Sequence, residues 1–318
     1  MSLQALQTEI TPSTDFGFTS SDGLRIACAR WDSRGPARGV LQIAHGMGEH
    51  IGRYSELIEA LVSAGLIVYG NDHRGHGRTA ATNGVFGDFG PGGFDALVED
   101  MAHLSRIARH ENPVLPFILF GHSMGSFAAQ QYVLDHSYQI DGLILSGSGS
   151  LDDLARLASS TSPGTNILNA SFEPARTPFD WLSRDFAVVD AFMSDQLCFA
   201  ELNPASYASL LAAAHRLADP ASLRHIRDDL ALYIFSGTED PVGDKLTGIH
   251  TLLDRYLKAG IYDITYDFYA GGRHEMLNET NRSKVRENLL RWITDLLQAA
   301  SDGDSRGIKV RQGENNDD

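Results

Sequence analysis

The sequence predicts an α/β protein: a mostly parallel central sheet flanked by helices on both faces, with a helical cap inserted late in the chain. Three observations carry this. Short apolar runs alternate with segments of helical periodicity, the pattern of successive βαβ units. The runs are apolar almost throughout, as strands buried on both faces are. One long interval lacks strands altogether and is broken by prolines.

In chain order, residues 16–19 and 24–31 read as a strand hairpin across the turn Ser21-Asp22-Gly23. Strand-like runs follow at 40–44, 66–69, 116–120, 142–145, 230–235 and 264–269. Between them, Tyr54, Leu57, Ile58, Leu61 and Val62 recur at helical spacing, as do Phe94, Leu97, Val98, Met101, Leu104 and Ala108. Ile249, Leu252, Leu253, Tyr256 and Leu257 mark another helix, and Val285, Leu289, Trp292, Ile293 and Leu296 a last one. After Ser146-Gly147-Ser148-Gly149 no strand appears until Leu230. A structureless loop of that length is uncommon in a compact domain. Helical stretches at 180–192 and 205–217, set off by Pro163, Pro174, Pro178 and Pro204, predict a cap lying over the sheet. The expected organisation is a core of 1–150 and 230–300, a cap or lid of 151–229, and a disordered tail of 301–318 rich in Gly, Asn and Asp.

Composition removes several function classes. Of 318 residues, 42% are hydrophobic and 21% charged, which fits a globular chain and not a disordered one. The net charge of −15 speaks against gripping nucleic acid or an anionic membrane by electrostatics. No apolar run reaches the roughly 20 residues of a membrane span, which leaves at most transient contact with a membrane surface. Residues 1–15 show neither the basic nor the apolar region of a signal peptide, so a cytoplasmic location is expected. Cys28 and Cys198 are too few for a disulfide framework or a four-ligand zinc site. No phosphate-cradling loop or dinucleotide fingerprint is present, so neither a metal nor a cofactor is expected. Oligomeric state is not encoded in any of these features.

The chemistry centres on Gly121-His122-Ser123-Met124-Gly125, a G-x-S-x-G pattern. The pattern alone is weak at this glycine content, but its context is strand before and helix after, which a nucleophile elbow requires. A serine hydroxyl needs a general base, and the base needs an orienting carboxylate. Asp240 follows the 230–235 run and His274 follows the 264–269 run, at strand ends where catalytic groups gather in open α/β sheets. Glu239 and Asp244 are rival acids; Asp240 is favoured because the following Pro241 makes its turn rigid. The oxyanion hole is expected from the backbone N–H of Met124 and one from the turn His45-Gly46-Met47-Gly48-Glu49-His50. His45 and His50 read as turn-bracing. Asp72-His73-Arg74-Gly75-His76-Gly77 reads as a loop in which Asp72 and Arg74 pair with neighbours, not as a metal site. Phe172, Phe179, Trp181, Phe186 and Phe192 either line an apolar pocket or hold the cap together.

The turn at 45–50 followed by Gly52-Arg53-Tyr54, the 72–77 loop and the Gly-His-Ser-Met-Gly elbow occur in this order. Together they resemble the monoacylglycerol lipase and lysophospholipase group of α/β-hydrolases, which is classed with serine-aminopeptidase-like hydrolases. The resemblance runs from about residue 15 to 298. It implies the α/β-hydrolase fold, Ser123 as nucleophile, Asp240 as acid, His274 as base, and Met47 with Met124 as oxyanion donors. Ser126 and Thr79 depart from the group's usual glycine and serine, and the cap departs most. The expected activity is hydrolysis of carboxylic esters through an acyl-enzyme, on small-molecule esters such as monoacylglycerols or lysophospholipids. A peptidase or thioesterase would use the same triad, and a non-catalytic ligand-binding relative is the alternative from another class.

Overall fold

Backbone pairing follows the apolar runs. The computed structural model of the protein describes residues 12–160, 167–199, 201–302 and 309–313. The elements in order are β1 (Thr14–Thr19), β2 (Arg25–Trp31), β3 (Gly39–Ala44), α1 (Ser55–Ser63), β4 (Leu66–Asn71), α2 (Gly77–Asn83), α3 (Gly93–Glu111), β5 (Phe117–His122), α4 (Met124–His136) and β6 (Gly142–Ser146). Then come α5 (Leu151–Ser160), α6 (Phe186–Ser194), α7 (Pro204–Ala218), α8 (Pro220–Leu223), β7 (Ala231–Gly237), α9 (Thr247–Ala259), β8 (Asp263–Tyr269), α10 (Arg282–Asp302) and β9 (Lys309–Gln312). The strands form one sheet in the order β1-β2-β4-β3-β5-β6-β7-β8-β9. β2 pairs antiparallel with β1 and with β4, and the pairs from β4 onward are parallel. This is the α/β-hydrolase fold.

Side-chain alternation within each apolar run divides the core between the two faces. Leu41, Ile43, Val68, Ile118 and Phe120 meet α1 and α10 on one face, through Leu57, Leu61, Leu289 and Ile293. Val40, Leu119, Leu143 and Ile234 meet α3, α4 and α9 on the other, through Leu97, Met101, Tyr132 and Ile249. No helix among the described residues is long and apolar enough to cross a membrane.

Between β6 and β7 the described residues carry α5 to α8 and no strand, with differences from the expectation. The 180–192 stretch is helical only from Phe186, because the Asp185 side chain accepts the Ala187 N–H at 3.1 Å and caps a new start there. The 205–217 stretch is α7, begun by Asn203, whose side chain accepts the Ser206 N–H, and by Pro204 in the first turn. Leu210, Ala213, Ala214 and Leu217 of α7 join the core beside α3 and α4, so this helix is bolted to the sheet layer. The expected disordered tail is corrected in part: α10 runs to Asp302, and β9 adds a parallel strand to β8, with Asp263 opposite Lys309 and Tyr266 opposite Gln312. The unpaired edge of β8 offers its backbone groups to a returning segment, which an average over the tail's composition does not register. Residues 303–308 and 314–318 lie outside the described residues.

Candidate active site

Ser123 links β5 to α4 with φ 53° and ψ −121°, a backbone region that costs energy for any side chain. Close packing imposes the turn. A Cβ on Gly125 would lie 2.2 Å from the Ala44 carbonyl oxygen, and one on Gly121 would lie 2.5 Å from the Gly125 carbonyl oxygen. Only glycine at both positions lets α4 start this close to β3 and β5. The serine side chain thereby stands at the strand end, partly exposed and at the wall of a cavity.

His274 and Asp240 are both fully buried, and His274 Nδ1–H donates to Asp240 Oδ1 at 2.9 Å. Asp240 Oδ1 also accepts the Val242 N–H at 2.9 Å, and Oδ2 lies 3.3 Å from Ser236 Oγ. Glu239 instead pairs with Lys245 at 3.1 Å, and Asp244 is exposed. Burial pushes the His274 imidazole down, but the charge and hydrogen bond of Asp240 outweigh it and hold its pKa above the ordinary value. His274 Nε2 is buried and has no hydrogen-bond partner among the described residues, Ser123 Oγ included. Both groups line the same cavity.

The turn after β3 approaches the serine: a Cβ on Gly46 would lie 3.1 Å from Ser123 Cβ. Met124 is the first residue of α4, where the N–H has no partner within the helix. Met47 N–H has no backbone partner among the described residues. Behind the turn lies a buried ion cluster. Glu49 accepts from Gly46 N–H, Arg53 Nη1 and Tyr54 O–H, each at 2.6 Å. Arg53 also donates to both oxygens of Glu275, at 2.7 and 2.8 Å. Burial would raise the Glu49 carboxyl, yet Arg53 above all brings it down to about 2. Glu49 is therefore an anion that clamps the turn from inside. His45 Nε2 accepts the His73 N–H at 2.9 Å, and Asp72 and Arg74 pair with Arg78 and with Asp100 and Asp22. These are the bracing contacts the 72–77 loop implies.

Ser123, His274, Met47 and Met124 line a cavity of about 620 Å³, within the range of ligand sites. Leu151, Leu154, Phe127, Leu210 and Val242 are among its apolar lining, and Glu49, Arg53, His122 and Glu275 among its polar lining. Phe179, Trp181 and Phe192 of the cap line it too; Phe186 is exposed, and Phe172 lies 4.4 Å under Arg273.

The profile of the serine aminopeptidase S33 family matches residues 35–281. The chain belongs to this family. A monoacylglycerol lipase of Mycolicibacterium smegmatis is 29% identical over 89% of this chain and 98% of its own length. A monoglyceride lipase of Rattus norvegicus is 26% identical over 88% and 90%. A thermostable carboxyl esterase from Bacillus coagulans, solved with glycerol, superposes with a TM-score of 0.81 at 28% identity, over 90% of this chain and 99% of that one.

Within this S33-family frame, sequence reading passed over the Glu49–Arg53–Glu275 cluster and Ser236. The available signal was the pair of acidic residues, Glu49 and Glu275, each beside a histidine in a glycine-containing turn, with Arg53 four residues after Glu49. Among the described residues, His50, Asp195 and Cys198 have the spacing of metal ligands. His50 Nδ1 accepts the Gly52 N–H at 3.2 Å, so Nε2 carries the ring proton and donates it to Asp195 Oδ2 at 3.0 Å. Neither ring nitrogen keeps a free lone pair, and burial pushes the Cys198 thiol up to about 12. The cluster works as a hydrogen-bonded tie between the turn after β3 and the cap.

Proposed function

We infer that this chain is a carboxylic-ester hydrolase acting on single-chain lipid esters of the monoacylglycerol or lysophospholipid kind. The observation that carries the reading is a cavity that holds the elbow serine and is lined by both apolar and polar side chains. An acyl chain fits the region of Leu151, Leu154, Phe127 and Leu210. A hydroxylated or charged head group fits the region of Glu49, Arg53 and His122. The Mycolicibacterium and rat relatives carry the names of lipases for such esters, which supports the reading.

In this mechanism Ser123 Oγ attacks the ester carbonyl carbon while His274 Nε2 takes its proton. Asp240 stabilises the resulting imidazolium through Nδ1–H, and the Met47 and Met124 N–H groups donate to the developing oxyanion. Collapse expels the alcohol, which receives the proton from Nε2. Water then attacks the acyl-Ser123 carbonyl, gives one proton to Nε2 and releases the fatty acid, and Oγ recovers the proton.

Each buried CH₂ adds about 0.8 kcal/mol, nearly fourfold in binding. On p-nitrophenyl esters kcat/KM is therefore expected to climb from acetyl to about octanoyl, and monoacylglycerol or lysophospholipid esters to outrun aminoacyl arylamides. A preference for acetyl esters, or for the amides over every ester, would reject the lipid-ester reading.

A further inference from the structure

We propose that Trp181 is a positioning residue for the base: its indole lies against the His274 imidazole and favours the imidazolium form that appears during acyl transfer. The inference rests on the reading of His274 as the base of Ser123.

The two rings have centroids 4.8 Å apart and planes tilted by 44°. An indole is the strongest aromatic partner for a cation within about 6 Å of its face. The other ring beside His274 is that of His122, also at 4.8 Å. Burial, then the charge of His274, push its pKa down to about 4, so it stays neutral when the base is charged. The remaining groups facing His274 are Asp240 from the loop after β7, Glu49 from the turn after β3, and Glu275 in its own loop. Glu49 and Glu275 share the single Arg53 guanidinium, so this cluster keeps one net negative charge, which also favours the imidazolium. Asp240 on one ring nitrogen and the net charge of the Glu49–Arg53–Glu275 cluster stabilise the imidazolium by charge, and the Trp181 indole is the ring that can add to them, since His122 stays neutral.

The backbone keeps the two rings together. His274 N–H donates to the Trp181 carbonyl at 3.3 Å, and Glu275 N–H to the Leu182 carbonyl at 2.8 Å. The Arg273 guanidinium donates to the carbonyls of Asp180 and Ser183. Ser183 Oγ–H donates to the Asn278 carbonyl at 3.1 Å, and Arg184 Nε–H to Glu279 at 2.9 Å. Residues 180–184 are therefore stitched to the loop of the base, so that Trp181 is tied to His274 itself.

The test compares wild type, Trp181→Leu and Trp181→Phe in two measurements. One is NMR titration of the His274 imidazole, assigned with His274→Gln; the other is kcat and kcat/KM against pH on p-nitrophenyl butyrate. In Trp181→Leu the His274 pKa should fall by about 0.5 to 1 unit, and the acid limb of activity should move with it. kcat should drop about 3- to 10-fold, and Trp181→Phe should recover part of both. A fall in kcat with an unmoved or raised His274 pKa would overturn the proposal, because lost packing alone does that. If Trp181→Leu does not fold, Trp181→Phe decides: its weaker ring face predicts a smaller downward shift, and no shift overturns the proposal. The titration needs no turnover, so a wild type inactive on every ester would reject the hydrolase reading separately.

Discussion

Replacing Asp240 by Asn removes one negative charge and leaves every neighbouring hydrogen bond satisfiable. Oδ1 receives two donors at 2.9 Å, His274 Nδ1–H and Val242 N–H. The Val242 donor is backbone and cannot turn away, so the amide oxygen has to occupy the Oδ1 position. The new NH₂ then faces Ser236 Oγ, which accepts from it while still donating to the Gly237 carbonyl at 3.3 Å. His274 keeps its proton on Nδ1 and its lone pair on Nε2. What is lost is charge. At an effective dielectric of about 20 and a charge separation of about 4 Å, that is roughly 4 kcal/mol. At 1.36 kcal/mol per decade the expected loss is about 10³ in kcat. It is smaller than the roughly 10⁴ seen in a serine protease whose Asn variant holds the wrong histidine tautomer.

The assay is kcat and kcat/KM against pH for Asp240→Asn beside Glu239→Gln, with the Nδ1–H proton followed by NMR. The acid limb should move to lower pH in Asp240→Asn, since the carboxylate raises the His274 pKa. Glu239→Gln should change kcat by less than about twofold, because that side chain is 43% exposed and pairs only with Lys245. A loss beyond about 10⁵ together with a missing Nδ1–H signal would refute the Val242 constraint. A loss under tenfold, with a larger one in Glu239→Gln, would move the acid to Glu239.

Ser123→Ala should fold as wild type, lose ester hydrolysis by about 10⁶ and lose fluorophosphonate labelling; more than a few per cent residual activity would exclude Ser123 as nucleophile. Acid should unfold the protein early. Burial pushes His76 down to about 3 and His122 to about 4, from an ordinary 6.5, while the unfolded chain protonates normally. Each therefore costs roughly 1.4 kcal/mol of stability per pH unit below 6.5 until its folded pKa is reached. Denaturant melts at pH 7 and pH 5 measure this, and equal stabilities would refute it. Arg74→Met strips a fully buried guanidinium from Asp100 and Asp22, and should cost about 3–5 kcal/mol in the same melts, because Asp100 remains buried with the Ser20 hydroxyl but without its counter-charge.

The strands and most helices of the core were legible in the sequence because each is fixed by local periodicity. Continuous apolar runs at 116–120 and 230–235 suit strands covered on both faces, and they became β5 and β7. The elbow was legible for the same reason: Gly121, Ser123 and Gly125 sit between a strand and a helix, and the need for glycine is local. The carboxylate beside His274 was different. Asp240, Glu239 and Asp244 are near neighbours in one turn, and which of them faces His274 depends on backbone direction and burial. Tertiary structure settled that geometry through the fixed Val242 N–H and the closed site around Oδ1. Helicity at 180–185 was also beyond local reading, since the carbonyls of Asp180, Trp181, Leu182 and Ser183 and the N–H of Arg184 bond instead to residues 273–279, about 90 positions away. Composition predicted disorder for the whole tail because it weighs residues and not partners. The strand at Lys309–Gln312 exists only because the open edge of β8 offers hydrogen bonds that no property of those four residues announces.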